Sequence, residues 1–335
     1  MASHVAQPAR GASARGHESG MTPLQIGNRD ISDGAGGTDL PEPTAIGAGT
    51  AAAQLLQQQI QLLQSRITAL SSEIEILRRR DQTVNYYIHR IDEEMRLAAR
   101  LQQDFLPKQL PQVGRVRFHT LFRPAGYVSG DLYDVMRLDE THVGFYMADA
   151  VGHGMPAALL TMFIKNALVT KQIDAAGYRL LAPGETMARL NDALVGQHLS
   201  YATFATAIYG TIDCQTLQCS FARGGHPSPI VLRADGSTQC LEVDGSLLGI
   251  FANESFATAT VQLQPGDRLV VFSDGVEVSF SGDGSIDTDQ WRRELERRAR
   301  LRGEQLIASL SDHIDSQAGS LSPKDDLTII LAEVN

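Results

Sequence analysis

The sequence predicts an α+β fold with largely antiparallel sheets, preceded by a long helix that forms a parallel coiled coil. Strand-like runs follow one another with turn signals between them, and they do not alternate strictly with helices. Upstream of these runs, apolar residues recur at alternating spacings of four and three over six heptads. At 335 residues the chain is long enough to bury a large hydrophobic core.

The composition excludes several classes of partner. A formal net charge of −10 argues against nucleic acid and against an anionic membrane surface, because both would repel the protein. No run approaches the roughly 18 to 20 apolar residues of a membrane helix, and no signal-peptide core follows Arg10 and Arg15. The three cysteines (Cys214, Cys219 and Cys240) lack paired metal-ligand spacing and are expected to be reduced thiols. We therefore expect a cytoplasmic protein.

Residues 1–50 are predicted to form a disordered leader. Gly, Ala, Ser and Pro make up half of these residues, and the apolar residues have no period. Such a segment cannot bury enough apolar surface to offset its conformational entropy.

Residues 51–103 are predicted to form a dimerising coiled-coil helix that links to the following domain. Ile at a and Leu at d in its first half favour a parallel two-stranded coil. The alternative is an amphipathic helix packed on its own domain. Twelve of the thirteen seam positions are apolar: Leu56, Ile60, Leu63, Ile67, Leu70, Ile74, Leu77, Asp81, Val84, Ile88, Ile91, Met95 and Ala98.

Asp81 is the polar exception in this seam and follows three arginines, Arg78-Arg79-Arg80. Two interpretations stay open. Asp81 fixes the register of the coil at some cost in stability, or it loosens the coil locally and creates a hinge.

Residues 104–335 are predicted to form one domain. Pro107 and Pro111 end the long helix, and turns such as 264–267 separate the strands. The predicted strands are Val116–Phe122, His142–Ala148, Phe204–Ile212, Gln218–Ala222, Ile230–Arg233, Ala257–Leu263, Arg268–Phe272 and Leu327–Glu333. The predicted helices are about Pro156–Lys171, Gly184–Val195, Thr288–Arg300 and Gly303–Gln317.

Four acidic residues lie where strands end or turns begin: Asp131, Asp149, Asp274 and Asp325. Each alone is explained as a turn residue or a cap. Together they could converge on one edge of the core, where carboxylates repel one another unless a cation neutralises them. Oxygen ligands without His or Cys suit Mg²⁺ or Mn²⁺. The four acids therefore support a hypothesis of metal-assisted hydrolysis.

Eight motifs add to this hypothesis: LAARLQQDFLPKQLP, RPAGYVSGDLYDV, MADAVGHGMPAALL, FATAIYGTID, GGHPSPIVLRADG, GSLLGI, PGDRLVVFSDGVE and KDDLTIIL. From about Glu93 to the C-terminus, the chain resembles in these motifs the bacterial branch of the metal-dependent (type 2C, PPM) serine/threonine protein phosphatases. This is the branch found in sporulation and stress-response regulators. The resemblance implies a sandwich of two antiparallel sheets flanked by helices.

Carried over position by position, the resemblance implies a centre of two Mn²⁺ or Mg²⁺ ions. Asp149 would bridge the ions, and the carbonyl of Ala150 would bind one of them. Asp131 would help to hold the second ion, while Asp274 and Asp325 would hold the first. A water activated by both ions would attack phosphorus in line, without a covalent phosphoenzyme.

His153 has two interpretations. It is the general acid for the leaving serine oxygen, or it belongs to a loop whose tight turn Gly152 and Gly154 supply. The loop lacks the lysine and the spacing of a P-loop, which argues against nucleotide binding.

Two departures from the family pattern concern substrate contacts. His226 matches the family and is expected to be structural, but Arg223-Gly224-Gly225 precedes it where the branch has Asn-Ala-Gly. Gly126 stands where the branch has an arginine, which leaves Arg123 as a candidate phosphate ligand.

The sequence thus predicts a metal-dependent phosphoserine/phosphothreonine protein phosphatase regulated through its coiled coil. The resemblance implies a phosphorylated anti-sigma-factor antagonist as its substrate. A parallel homodimer and an activating protein on the coil are the further partners expected. Two alternatives stay open: a phosphoprotein-binding module that works through the coil without turnover, and a hydrolase of small phosphoesters.

Overall fold

Twelve strands and six helices make up the computed structural model of this chain, which describes residues 45–175, 177–199, 203–280, 286–316 and 325–335. The helices are α1 (Ala45–Phe105), α2 (Met155–Ala167), α3 (Pro183–Val195), α4 (Asp274–Phe280), α5 (Thr288–Arg297) and α6 (Gly303–Ser316). The strands are β1 (Val116–Arg123), β2 (Asp131–Arg137), β3 (His142–Ala150), β4 (Lys171–Asp174), β5 (Gly177–Leu180), β6 (Ala205–Asp213), β7 (Gln218–Gly224), β8 (Ile230–Leu232), β9 (Thr238–Cys240), β10 (Ala259–Gln262), β11 (Arg268–Phe272) and β12 (Leu327–Val334).

Two five-stranded sheets form the core of the unit that runs from Arg78 to Asn335. Sheet A has the order β1-β12-β11-β8-β9 and sheet B the order β10-β7-β6-β3-β2, while β4 and β5 form a separate hairpin. All pairings between these strands are antiparallel. The predicted fold class, two antiparallel sheets flanked by helices, is confirmed.

The alternation of β3 explains why the sheets are covered on both faces. Val143, Phe145 and Met147 belong to the core between the sheets. The residues between them, such as Tyr146 and Ala148, belong to a second core under α2 and α3. Because successive side chains of a strand point to opposite faces, one strand contributes to both cores.

A third core lies on the outer face of sheet A, under α4, α5 and α6. Its largest member, Trp291, is fully buried and packs against the rings of Phe272 and Phe280 at centroid distances of 5.7 and 4.9 Å. The side chain of Asp287 caps α5 by accepting a hydrogen bond from the backbone N–H of Gln290 (2.9 Å). Helices therefore cover both outer faces of the sandwich.

The long helix α1 spans 61 residues, so the predicted helix is present and its pairing into a coiled coil remains a prediction. In the unit that ends at Leu77, the seven seam side chains from Leu56 onward are 47% to 62% exposed. The predicted leader lies outside the described residues except for its last six residues, which begin α1. Within the described ranges, every helix is too short or too polar to cross a membrane.

Several predicted element boundaries are wrong. The helix expected to reach Lys171 ends at Ala167, because the β-branched pair that follows Leu168 favours extended backbone and leads into β4. The helices expected to end at Arg300 and to begin at Pro156 end at Arg297 and begin at Met155. Strand β2 and helix α4 are not among the predicted elements, because each has seven residues and is too short for a clear hydrophobic period.

Candidate metal centre

Asp131 and Asp149 face each other across two neighbouring strands. Asp131 is the first residue of β2 and Asp149 the last but one of β3, and the register pairs them directly. Both continue the alternation that turns Tyr133 and Met147 into the core between the sheets. The two carboxyl groups therefore lie at the edge of that core, on the side toward sheet A.

Sheet A brings the other two acids to the same edge. Asp274 begins α4 two residues after the end of β11, and Asp325 lies two residues before β12. Because β11 and β12 are antiparallel neighbours, the end of one lies beside the start of the other. The hydroxyl of Thr328 joins the sheets by donating a hydrogen bond to Asp131 Oδ2 over 2.5 Å.

The pKa values of these carboxyl groups indicate that the four acids interact. Burial, and then the charges of Asp274 and Asp325, raise the pKa of Asp149 to about 7. Burial and the charge of Asp149 raise the pKa of Asp131 well above its usual range. Burial likewise raises the pKa of Asp325. Burial therefore destabilises the charged forms of Asp131, Asp149 and Asp325, and a bound cation would relieve that destabilisation.

The donor set fits hard divalent cations. All side-chain donors are carboxylate oxygens, and the Ala150 carbonyl lies beside Gly130, where a Cβ atom would approach it to 3.2 Å. In the described part of the chain, no three acidic, imidazole or thiol side chains already form a complete ligand set. Mg²⁺ keeps several waters and commonly uses only one or two carboxylates, so a sparse set suits it.

Asp326, which follows Asp325 in the motif KDDLTIIL, also lies close to the four acids. Its carboxylate is buried and accepts hydrogen bonds from the backbone N–H groups of Ala125 and Gly130, both 2.6 Å long. It therefore fixes the segment that leads into β2 and Asp131. The sequence pattern does not indicate this role, because 201 and 196 residues separate Asp326 from Ala125 and Gly130.

His153 lies exposed in the loop between β3 and α2. Gly152 and Gly154 on either side of it have φ of 90° and 76°, as the expected tight turn requires. Its two interpretations, general acid and loop residue, remain open predictions.

His226 is fully buried, and its Nδ1 lies 3.0 Å from the hydroxyl of Thr206. Burial and the nearby charge of Arg223 lower the pKa of His226 to about 3, so the imidazole is neutral at physiological pH. Thr206 pairs with Asp149 across β6 and β3. These contacts support the structural interpretation of His226.

Arg123 is engaged away from the acids. Its guanidinium donates to both carboxylate oxygens of Asp315 (2.6 and 2.7 Å) and to the hydroxyl of Ser311 (2.5 Å), all on α6. The expectation that Arg123 binds phosphate therefore has no support in this geometry. The guanidinium of Arg223 likewise donates its hydrogen bonds within the protein, to the backbone carbonyls of Val243 and His226.

More than half of this chain matches a known protein family. The profile of the family described as Stage II sporulation protein E (SpoIIE) matches residues 139–335, which is more than half of the chain. The chain belongs to the SpoIIE family. The matched range of this SpoIIE-family protein includes Asp149, Asp274 and Asp325, whereas Asp131 lies before it.

Individual relatives agree with this membership. The SpoIIE-family chain is 26% identical to the phosphoserine phosphatase RsbU of Bacillus subtilis over 251 residues, 75% of this chain and 72% of RsbU. The matched region spans only 37% of the length of Protein IcfG of Synechocystis sp. and 45% of the length of the phosphoserine phosphatase RsbP of Bacillus subtilis. The predicted resemblance to the bacterial type 2C phosphatases is confirmed.

Solved structures support the fold of this SpoIIE-family chain. It superimposes on the SiaA-PP2C domain of Pseudomonas aeruginosa with a TM-score of 0.63 and 24% identity, covering 74% of this chain and 98% of that domain. It superimposes on RsbX in complex with magnesium with a TM-score of 0.50 and 19% identity, covering 68% and 99%. Both similarities concern the fold.

Proposed function

We propose that this protein hydrolyses phosphoserine or phosphothreonine on a regulatory protein in a metal-dependent reaction. The observation that carries the proposal is the placement of four acids from two sheets at one edge of the sandwich, with the pKa of Asp149 raised to about 7. Membership of the SpoIIE family and similarity to RsbU make the protein a phosphatase of this regulatory type.

In the proposed centre, two divalent cations supply an activated water and neutralise charge on the phosphoryl oxygens when they are bound. Asp149, on β3 of sheet B, would contribute its carboxylate to both ions, with the carbonyl of Ala150 beside it. Asp131 would hold one ion from sheet B, and Asp274 and Asp325 the other from sheet A. Mg²⁺ and Mn²⁺ both suit these oxygen donors, and the structure of RsbX contains magnesium.

The substrate we propose is a phosphorylated anti-sigma-factor antagonist, in a partner-switching pathway. RsbU, which is named a phosphoserine phosphatase, supports the chemical class of this substrate. We further propose that α1 pairs with a second copy of the chain as a parallel coiled coil, and that an activating protein acts on that coil. The exposed apolar seam of α1 supports the pairing, because such a surface is normally covered.

The first test is the hydrolysis of p-nitrophenyl phosphate and of a phosphoserine protein, with and without Mn²⁺. Asp149→Asn should reduce metal-dependent turnover by at least about 100-fold, since even outer-shell partners of a metal contribute roughly 10- to 100-fold. Asp312→Asn, an exposed acid on α6, is the matched control and should behave as wild type.

Either of two results would contradict the proposal. Binding of the phosphoprotein without turnover at any Mn²⁺ concentration would favour a phosphoprotein-binding module. Turnover of nucleotides and sugar phosphates but not of the phosphoprotein would favour a hydrolase of small phosphoesters.

A further inference from the structure

The side chain of Gln102, on the last turns of α1, makes two hydrogen bonds to the segment before β2. Its side chain is 2% exposed. The Nε2 group donates to the carbonyl of Ser129 (2.7 Å), and Oε1 accepts from the N–H of the same residue (2.8 Å). Both ends of the buried amide are thus used by one residue of the facing loop.

Ser129 in turn forms a hydrogen bond with Asp131, an acid of the proposed metal centre. The hydroxyl of Ser129 accepts a hydrogen bond from the backbone N–H of Asp131 over 3.0 Å. The next residue, Gly130, is held by Asp326 through its N–H and by Ala150 through its carbonyl (3.0 Å). Asp131 is therefore held from α1, from the start of β12 and from β3.

Two further contacts join α1 to the same loop. The hydroxyl of Tyr127 donates to Asp92, and the guanidinium of Arg96 lies over the Tyr127 ring at 5.8 Å while pairing with Asp92. These three side chains are more exposed than Gln102, so they contribute less to holding the loop. The buried contact of Gln102 is the one that reaches the residue next to Gly130.

We infer that Gln102 is a positioning residue for the metal centre: it holds Ser129 and thereby sets the position of Asp131. Without the amide, the buried N–H and carbonyl of Ser129 lose their partners, which is costly unless the loop moves toward water. Such a movement displaces Asp131, whose backbone is bonded to the Ser129 hydroxyl. This inference rests on the proposed metal-dependent function.

The test measures the binding of Mn²⁺ to the full-length chain by electron paramagnetic resonance of the free ion. Gln102→Met keeps the size of the side chain and removes both hydrogen bonds. The apparent dissociation constant should rise at least about tenfold, as expected when a partner behind a metal ligand is lost. Gln103→Met, at the exposed neighbouring position, is the matched control and should bind Mn²⁺ as wild type does.

A second readout separates positioning from a general loss of stability. Turnover of Gln102→Met should recover when Mn²⁺ is raised in proportion to the weaker binding, and urea unfolding with a chelator present should give the same stability as for Gln103→Met. A dissociation constant within threefold of the Gln103→Met value overturns the inference. Should Gln102→Met fail to fold, Ser129→Ala decides by the same criterion, because it keeps the Gln102 contact and removes the link to Asp131.

Failure of the positioning role and failure of the proposed phosphatase function give different results. Wild-type protein that binds Mn²⁺ and turns over substrate, together with an unaffected Gln102→Met, overturns the positioning role alone. Wild-type protein that binds Mn²⁺ without turnover, with binding weakened in Gln102→Met, supports the positioning role and contradicts the phosphatase. Wild-type protein that does not bind Mn²⁺ contradicts both.

Discussion

Gly275 illustrates how closely backbone segments approach at the proposed metal centre. A Cβ atom at this position would lie 2.1 Å from the carbonyl oxygen of Asp326 and 3.2 Å from the Cβ of Asp325. A methyl group at Gly126 would meet its nearest neighbour at an ordinary 3.7 Å. Neither glycine has a positive φ, so backbone strain does not distinguish the two positions.

We predict that Gly275→Ala destabilises the protein by about 1–3 kcal/mol, the usual cost of overpacking. In a helix this substitution would otherwise stabilise by roughly 0.5–1 kcal/mol, and the clash prevails because the obstructing atom belongs to the backbone. Urea unfolding measures the effect, and turnover should fall as Asp325 is displaced. Gly126→Ala is the control; equal stabilities of the two variants would contradict the prediction.

At this scale the sequence indicates the four acids as candidates because they lie where strands end or turns begin, and their role as metal ligands stays a prediction. The residues that hold these acids in place could not be predicted. Gln102 lies 27 residues from Ser129, and Asp326 lies 196 residues from Gly130. Their roles are hydrogen bonds to backbone groups of another segment, and no residue pattern encodes such a contact.

At the scale of elements, the period of the hydrophobic residues determined what the sequence could predict. The heptad pattern predicts α1 well, and the alternation of β3 places Asp149 on the face toward sheet A. The hairpin of β4 and β5 was missed because its described side chains are largely exposed and give no apolar period. The predicted strand Ala257–Leu263 is shortened to β10, whose four residues Ala259–Gln262 pair with β7.

The seam of α1 leads to a prediction about assembly. Ile67, 62% exposed in the single chain, occupies an a position, so Ile67→Lys places two charges in the seam of a parallel dimer. The dimer dissociation constant should rise tenfold or more, which corresponds to about 1.4 kcal/mol. Sedimentation equilibrium measures it.

Ser72→Lys, at the f position five residues further along, adds the same charge outside the seam and should leave the dimer intact. If the two variants have the same mass at every concentration, α1 does not pair through this seam.

At the scale of the whole molecule, buried ionisable groups couple stability to pH in opposite directions. The imidazole of His226 has its pKa lowered to about 3, so the folded state is favoured above the ordinary pKa of histidine, and this stability is lost as pH falls from about 6.5 toward 3. Asp149, with its pKa raised to about 7, has the opposite sign: it disfavours the folded apoprotein at neutral pH and ceases to do so as pH falls.

We predict that the contribution of His226 can be isolated with His226→Asn. Between pH 7 and pH 5.5, wild-type apoprotein should lose about 1 kcal/mol more free energy of unfolding than the variant, because the unfolded chain gains a proton that the folded chain excludes. Urea unfolding at both pH values, in the presence of a chelator, gives this difference. Identical pH dependence in the two proteins would mean that His226 is accessible to protons in the folded state.

The register of β2 and β3 has a consequence for how this domain can vary in evolution. The two strands are joined by a turn in which the carboxylate of Asp139 accepts hydrogen bonds from the N–H groups of Thr141 (2.8 Å) and His142 (2.7 Å). This turn lies at the opposite end of the hairpin from Asp131, about 20 Å away at 3.3 Å per residue. Deleting or inserting one residue there would shift the pairing by one and turn Asp131 to the other face of the sheet. A surface turn far from the proposed metal centre should therefore tolerate substitutions but not changes in length.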